Sequence, residues 1–262
     1  MKRQILTIFI LVLSVQLSLA TGQQAELIIY DGDTLQLLSL PLEDYLGEYE
    51  QREKKYPFLN ITCSTALWRS YQGVWKLEGD ELYLVDVFLC ASKEISIFNK
   101  LFESESPIKA NWFSGNLFIQ HGKMLKYNHS GFARYFEEET VINIEQGNLI
   151  SQQHYVNGFK PDDKNLSSNP DTVMAEFYNR INWKVLPKLS KDYKVYVELK
   201  LGKVDSLTII RSSAPELYEK EVQRVIDEFP KLRKFYSRGE PLEEGYILPV
   251  IFTNYQRRKY AR

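Results

Sequence analysis

The feature that most constrains the fold is the strict alternation of residues 194–201. Every second residue of this stretch is aliphatic, and the set is Val195, Val197, Leu199 and Leu201. A period of two is typical of a strand that buries one face. Gly202-Lys203 then supplies a turn before the β-rich run 204–210, so the sequence predicts an antiparallel hairpin.

A helix and a last strand are predicted to follow the hairpin. Ser213-Ala-Pro-Glu216 fits a capping box, in which the hydroxyl of Ser213 accepts from a helical amide and Glu216 reaches back to the cap amide. Pro230 ends a run of apolar residues at helical spacing, namely Tyr218, Val222, Val225 and Phe229. We expect this helix to lie on the apolar face of the hairpin. Residues 245–252 predict a strand whose Pro249 is best tolerated on an edge or at a bulge.

These segments resemble the C-terminal domain of the periplasmic energy transducer TonB, a small unit of helix, β-hairpin, helix and strand. The resemblance rests on Val195-Tyr-Val-Glu-Leu199, Ile210-Arg-Ser-Ser213, and Arg238-Gly-Glu-Pro241 followed by Tyr246-Ile-Leu-Pro-Val-Ile-Phe252. Asn169-Pro170 is expected to cap the leading helix, whose apolar face is Val173, Phe177, Ile181 and Leu186.

The resemblance implies that a partner is captured by strand addition. In this mode an extended protein or peptide segment, such as part of an outer-membrane receptor, pairs with an exposed sheet edge. The last strand is the predicted edge. The predicted partner-binding residues are Arg238, Glu240, Tyr246, Leu248, Val250 and Phe252. The alternative is an internal strand with nothing beyond it.

Short β-rich runs separated by turn residues fill the N-terminal half. Hairpins are predicted over 66–89 around Gly79-Asp80, over 108–120 around Ser114-Gly115, and over 140–155 around Gln146-Gly147. The predicted fold class is therefore α+β. It comprises a β-rich antiparallel meander domain over 21–156, a linker over 157–169 and a small TonB-like α+β domain over 170–262.

Aromatic residues are dense in this half, and two interpretations stay open: the core of a twisted sheet, or a ligand groove. The set is Trp68, Tyr71, Trp75, Tyr83, Trp112, Phe113, Phe118, Tyr127, Phe132, Tyr135 and Phe136. The stretches 67–73 and 111–115 look like pieces of an uncharacterised domain of exported bacterial proteins. No activity is associated with that domain.

The first twenty residues have the layout of a secretory signal peptide. Lys2-Arg3 precedes an apolar stretch that ends at the small residue Ala20. The alternative is a membrane anchor, but the stretch reaches about 24 Å as a helix, against roughly 30 Å of hydrocarbon. Cleavage near Ala20 predicts export to the periplasm or outer envelope of a Gram-negative bacterium. Membrane contact is expected only if this segment is retained.

The two cysteines of an exported chain suggest a disulfide between Cys63 and Cys90. A hairpin that turns at Gly79-Asp80 places Cys90 opposite about residue 69. Cys63 is then about 20 Å away, which is too far for a bridge unless the chain folds back before Leu67. A disulfide and two buried thiols both remain open.

The sequence contains few motifs with known chemistry. With 33 basic and 34 acidic residues the net charge is -1, so no global field favours nucleic acid. His121, His129 and His154 lack metal-binding spacing, and neither a phosphate-binding glycine loop nor a Gly-x-Ser-x-Gly elbow is present. Residues 137–139 are three glutamates in a row, which is typical of a solvated segment. We expect no cofactor, no metal and no enzymatic activity.

The leading hypothesis is therefore an exported, non-enzymatic interaction protein. One alternative is a membrane-anchored TonB-type energy transducer for outer-membrane receptors, which needs an uncleaved anchor and a long, stiff spacer. The predicted linker, about 13 residues, is short for such a spacer. The second alternative is an envelope enzyme with its site in the N-terminal domain.

Overall fold

The computed structural model of the chain describes residues 22–128 and 131–261. The chain divides into two compact units, unit 1 up to Tyr155 and unit 2 from Val156 onward. Within the described ranges, every helix is too short or too polar to cross a membrane. The predicted signal peptide over 1–20 lies outside these ranges, so export stays a prediction.

Unit 1 is built mostly from strands. These are β1 Glu26–Tyr30, β2 Asp33–Leu37, β3 Tyr71–Glu78, β4 Glu81–Leu89, β5 Ile108–Lys109, β6 Gly115–Tyr127, β7 Arg134–Glu145 and β8 Asn148–Val156. The helices are α1 Pro41–Leu46, α2 Tyr49–Lys55 and α3 Phe98–Leu101, with a single 3₁₀ turn at Pro57–Leu59. Gly47 separates α1 from α2 with a φ of 71°, a left-handed conformation that glycine adopts at little cost.

Seven strands of unit 1 close into a barrel. Their order is β3, β1, β2, β6, β7, β8 and β4, and β4 pairs back onto β3, while β5 lies beside β4. The pair β1 and β3 is parallel, with Ile28 opposite Trp75. The ring is completed where Glu81 of β4 pairs with Asn148 of β8.

This architecture corrects the predicted fold class. The α+β prediction, an antiparallel meander joined to a small TonB-like domain, is wrong, because the chain is mostly β, with 41% strand and 21% helix, and contains a closed barrel. Barrel closure depends on pairs that are distant in sequence, such as Gln36 with Gln120. Local turn signals do not encode such pairs.

The individual hairpins of unit 1 were predicted with mixed success. Those that turn at Gly79-Asp80 and Gln146-Gly147 are present as β3–β4 and β7–β8. The hairpin predicted around Ser114-Gly115 is wrong. β5 pairs with β4, whereas β6 pairs with β2 and β7, because closure of the barrel gives both strands other partners.

Cys63 and Cys90 form a disulfide, with their Cα atoms 5.3 Å apart. The chain does fold back before Leu67, which was the condition for a bridge. Ser70 fixes this fold, because its hydroxyl donates to the carbonyl of Ile61 while its own carbonyl accepts from the Cys90 amide at 2.8 Å. The alternative of two buried thiols is wrong in this structure.

Unit 2 contains the remaining elements. These are β9 Gly158–Phe159, α4 Pro170–Arg180, β10 Tyr193–Leu201, β11 Ser206–Ser212, α5 Glu216–Asp227, β12 Phe235–Ser237, β13 Glu240–Pro241, β14 Glu244–Phe252 and α6 Asn254–Tyr260. One sheet has the order β11, β10, β14, and a smaller one has the order β13, β12, β9. Residues 157–169, predicted as a linker, supply β9 and a bridge between Leu166 and Leu232.

The two predicted helix caps of unit 2 differ in outcome. The side chain of Asn169 accepts from the amide of Asp171 at 2.9 Å, so the predicted cap of α4 is confirmed. The capping box at Ser213 is wrong, because α5 begins at Glu216 after Pro215 and has no side-chain cap. Ser213 instead extends the hairpin: its amide donates to the carbonyl of Lys194 at 2.9 Å, and its hydroxyl accepts from the amide of Lys194 at 3.2 Å.

The core of unit 2 lies between the larger sheet and its helices. The alternating residues of β10 are buried against Val173 and Phe177 of α4 and against Tyr218, Val222 and Val225 of α5. The predicted helix-on-hairpin packing is therefore confirmed. Burying these aliphatic and aromatic side chains contributes about 25 cal/mol for each Å² of apolar surface removed from water.

Candidate functional site

The candidate site is the outer edge of the larger sheet in unit 2. β14 is the last strand of that sheet and pairs along its length with β10, from Tyr193 opposite Phe252 to Leu201 opposite Glu244. Within the described residues no further strand of the sheet lies beyond β14. The prediction that this strand is an edge agrees with that position.

The hydrogen-bond pattern of β10 shows which β14 residues face outward. Both backbone groups of Lys194 bond to Ser213 on the β11 side. In an antiparallel sheet the backbone N–H and C=O groups of successive residues point to opposite neighbouring strands. Because Lys194 bonds toward β11, the backbone groups of Val195, Val197 and Leu199 bond to β14. Their opposite residues are Val250, Leu248 and Tyr246. The residues between them direct their backbone groups away from β10, and this outward set is Gly245, Ile247, Pro249 and Ile251.

Two features block one end of this edge. Pro249 has no amide hydrogen to offer. The amide of Ile251 donates to the hydroxyl of Tyr178 on α4 at 2.9 Å. The open part of the edge is therefore the stretch 245–248, with outward amides at Gly245 and Ile247. We call this stretch, together with the carbonyl of Pro249, the open edge.

The predicted partner-binding residues of β14 belong mainly to the core. Leu248, Val250 and Phe252 are 2%, 0% and 0% exposed and lie in the same cluster as the helices. Tyr246 is half-buried, and its hydroxyl donates to Glu244 at 2.8 Å. Burial and then Glu244 raise the pKa of Tyr246 to about 12. On the other face of β14 the side chain of Ile247 is 62% exposed, and that of Pro249 is exposed as well.

Arg238 and Glu240 lie in the small hairpin before β14. Arg238 is at the turn with a φ of 53°, and its backbone amide donates to the side chain of Asn157 at 3.0 Å. A carboxylate oxygen of Glu240 is 3.1 Å from the ammonium of Lys203, and both side chains are exposed. Neither residue is part of the open edge. The structure thus places the six predicted residues in three environments: core, hairpin turn and surface ion pair.

Two histidines of unit 1, His121 and His154, belong to a polar chain across β6, β7 and β8. The hydroxyl of Thr140 lies 3.0 Å from Nε2 of His121 and 3.2 Å from Nδ1 of His154, whose Nε2 is 3.1 Å from Glu138. Burial, and then the neighbouring His154, lower the pKa of His121. Thr140 is only 5% exposed, so a substrate has little access to its hydroxyl. His129 lies outside the described residues.

A buried polar network lies in the barrel. Glu26 is fully buried; it accepts from the indole nitrogen of Trp75, and its second oxygen lies 3.6 Å from Nε of Arg69. Tyr71 donates to Glu43 at 2.7 Å, and Glu43 accepts from Arg52 at 2.9 Å.

The carboxyl of Glu26 is expected to make folding stability depend on pH. Burial raises its pKa from 4.5 to about 7, although Arg69 and Trp75 oppose this shift. The unfolded chain therefore loses this proton at lower pH than the folded chain. Between pH about 4.5 and about 7, the free energy of unfolding should fall by about 3 kcal/mol.

Urea unfolding of the wild type and of Glu26→Gln across that pH range measures this effect. We expect the Gln variant to have a flatter pH profile, because its amide does not ionise. An equally steep profile in both proteins would assign the pH dependence to another group.

Comparisons of the chain with models of protein families, with curated proteins and with solved structures find no match. The resemblance to the TonB domain therefore stays a prediction from its motifs. Among the described residues, His, Cys, Asp and Glu do not form a group of three that could hold a metal ion. The fold and the geometry of β14 are the basis for the functional proposal.

Proposed function

We propose that this chain is a non-enzymatic interaction protein that captures an extended segment of a partner at the open edge. The observation that carries the proposal is the outward direction of the backbone groups of Gly245 and Ile247 on the last strand of a sheet. A strand added there takes its affinity from main-chain hydrogen bonds. The proposal includes export to the bacterial envelope, as the sequence of residues 1–20 predicts.

The open edge favours a short partner strand. It offers the amides of Gly245 and Ile247 and the carbonyls of Gly245, Ile247 and Pro249, so a partner of about five residues uses all of them. Pro249 and the Tyr178 bond prevent the ladder from growing further, which limits indiscriminate pairing. Ile247 lies opposite Glu198 on the solvent face, and a β-branched apolar residue beside Ile247 would gain a cross-strand contact.

Replacing Ile247 with proline is expected to weaken strand binding by roughly tenfold or more, because it removes one donor and places a ring at the edge. The substitution breaks no bond to β10, since this amide points outward. Ile247→Ala keeps the amide and should lose only the side-chain contact, about threefold in affinity. Amide shifts of the full ¹⁵N-labelled chain, titrated with six-residue peptides that alternate valine with threonine or lysine, give these affinities.

Two matched controls measure the contribution of the backbone hydrogen bonds to binding. N-methylation of every second peptide residue keeps the side chains and removes the donors, so binding should be lost. Pro249→Val adds an outward amide and should tighten binding about fivefold through one more hydrogen bond. Unchanged affinity in Ile247→Pro, or shifts that avoid residues 245–249, would refute strand addition at this edge.

A further inference from the structure

A second surface, in unit 1, has the composition of a ligand site. A cleft of about 860 Å³ is lined by residues of α1 and α2 and by Trp68. A smaller cavity of about 160 Å³ adjoins it, and the two share Tyr49, Arg52 and Trp68. The combined volume is in the range of cavities that bind small ligands or single side chains.

Two aromatic side chains stand exposed at this cleft. Tyr49 is 57% exposed and Trp68 is 50% exposed. Among the described residues, no other ring or cation stacks on the indole of Trp68. The backbone that carries it is fixed, because the next residue, Arg69, is buried and donates to the carbonyl of Gln24 at 2.9 Å. The indole of Trp68 therefore presents exposed surface at the cleft, on a chain segment whose next residue is buried.

The charges around the cleft are mostly negative. Arg52 is neutralised locally, since its Nη1 lies 2.9 Å from both carboxylate oxygens of Glu43. The carboxylates of Asp44 and Glu48 also line the cleft, and no ion pair within the described part of the chain engages them. Burial, and then the neighbouring Glu43, raise the pKa of Asp44. A surplus of negative charge therefore lines the cleft together with Trp68, whereas the ring of Tyr49 already lies under the guanidinium of Arg52, 5.7 Å from its centroid.

We propose that this cleft binds a cationic group, an ammonium or a guanidinium, between Trp68 and the carboxylates of Asp44 and Glu48. A bound cation is stabilised electrostatically both by the face of an indole ring and by the nearby carboxylates. An anion would meet uncompensated negative charge here. A neutral sugar could stack on the rings but would gain nothing from the charge of the two acids. The cation is carried by a small organic amine or by a basic side chain of a peptide.

The test compares matched probes on the full chain by calorimetry. Nα-acetyl-arginine amide should bind saturably, whereas the neutral isostere Nα-acetyl-citrulline amide should bind at least roughly tenfold more weakly. A tetra-lysine peptide and its fully acetylated form are the second pair. Tighter binding of the peptide than of the single residue would identify a basic peptide as the source, and equal binding would identify a small amine.

Variants locate the site. Trp68→Ala and the double change Asp44→Asn with Glu48→Gln should each weaken arginine-amide binding roughly tenfold. Glu50→Gln, on an exposed position of α2 that does not line the cleft, should leave it unchanged. Thermal unfolding verifies that each variant is folded. Any of three results would overturn the proposal. The arginine and citrulline probes bind equally, or no cationic probe binds saturably. The third is that a neutral oligosaccharide binds and its affinity is the same in the variant that lacks the two acids.

Discussion

Phe252→Ala is expected to destabilise unit 2 by about 4 kcal/mol, the usual cost of removing a buried aromatic ring. Phe252 has no exposed surface, and its ring centroid lies 4.9 Å from that of Tyr218 and 5.6 Å from that of Trp183. The cavity left by the ring would be lined by these two side chains. Urea unfolding, followed by hydrogen exchange of β10 amides, measures the loss.

Ile247→Ala is the matched control on the same strand. Ile247 is exposed on the opposite face, so its truncation should change stability by only about 0.5 kcal/mol. The contrast tests the assignment of β14 residues to core and surface. If Phe252→Ala cost no more than Ile247→Ala, the side chains of β14 would have the opposite orientation.

Removing the disulfide is expected to destabilise unit 1 nearly as much as Phe252→Ala destabilises unit 2. Cys63 and Cys90 are 27 residues apart, and a loop of that length corresponds to about 3.5 kcal/mol of chain entropy in the unfolded state. The Cys63→Ser, Cys90→Ser variant should lose this amount. Chemical denaturation read out by exchange of β3 and β4 amides measures it.

A reductant provides the control for this prediction. Reduction should destabilise the wild type by as much as the double substitution does and should leave the double variant unaffected. A wild type insensitive to reductant, with full reduction verified by thiol titration, would show that the bridge contributes little to stability.

The sequence predicts α4, the hairpin of β10 and β11, α5 and β14 because their signals are local, whereas β9, β12, β13 and α6 are not predicted. Alternation along 194–201, the cap at Asn169 and the stop at Pro230 each act within a few residues. The capping box at Ser213 was wrong because the same residue could also close the hairpin ladder with Lys194. A local motif does not reveal which of two hydrogen-bond partners a side chain will take.

The barrel could not be predicted from such signals. Its closure depends on a parallel pair of β1 and β3 and on the single pairing of Glu81 with Asn148, which join strands distant in sequence. The sequence does not decide the disulfide for the same reason, because the fold of the chain before Leu67 depends on Ser70 contacting Ile61 and Cys90.

The sequence predicts the candidate edge as a strand, and the structure places three of its six predicted contact residues in the core. Apolar side chains at Leu248, Val250 and Phe252 suggested contact residues, whereas burial makes them core. The sequence does carry a signal for the direction of the backbone: Pro249 lacks a donor and is tolerated where the backbone points outward, so the backbone of Ile247 points outward too. The cleft at Trp68 had no such signal, because α1, α2 and residue 68 meet only in the fold.

Hydrogen exchange along β14 in the free protein tests the central claim most directly. The amides of Tyr246, Leu248 and Val250 bond to β10 and should be protected, whereas the amide of Ile247 should exchange at close to the rate of an unstructured chain. Addition of a binding peptide should then protect Ile247. Protection of Ile247 in the free protein, with fast exchange at Leu248, would contradict the account, because the edge would then face the opposite way.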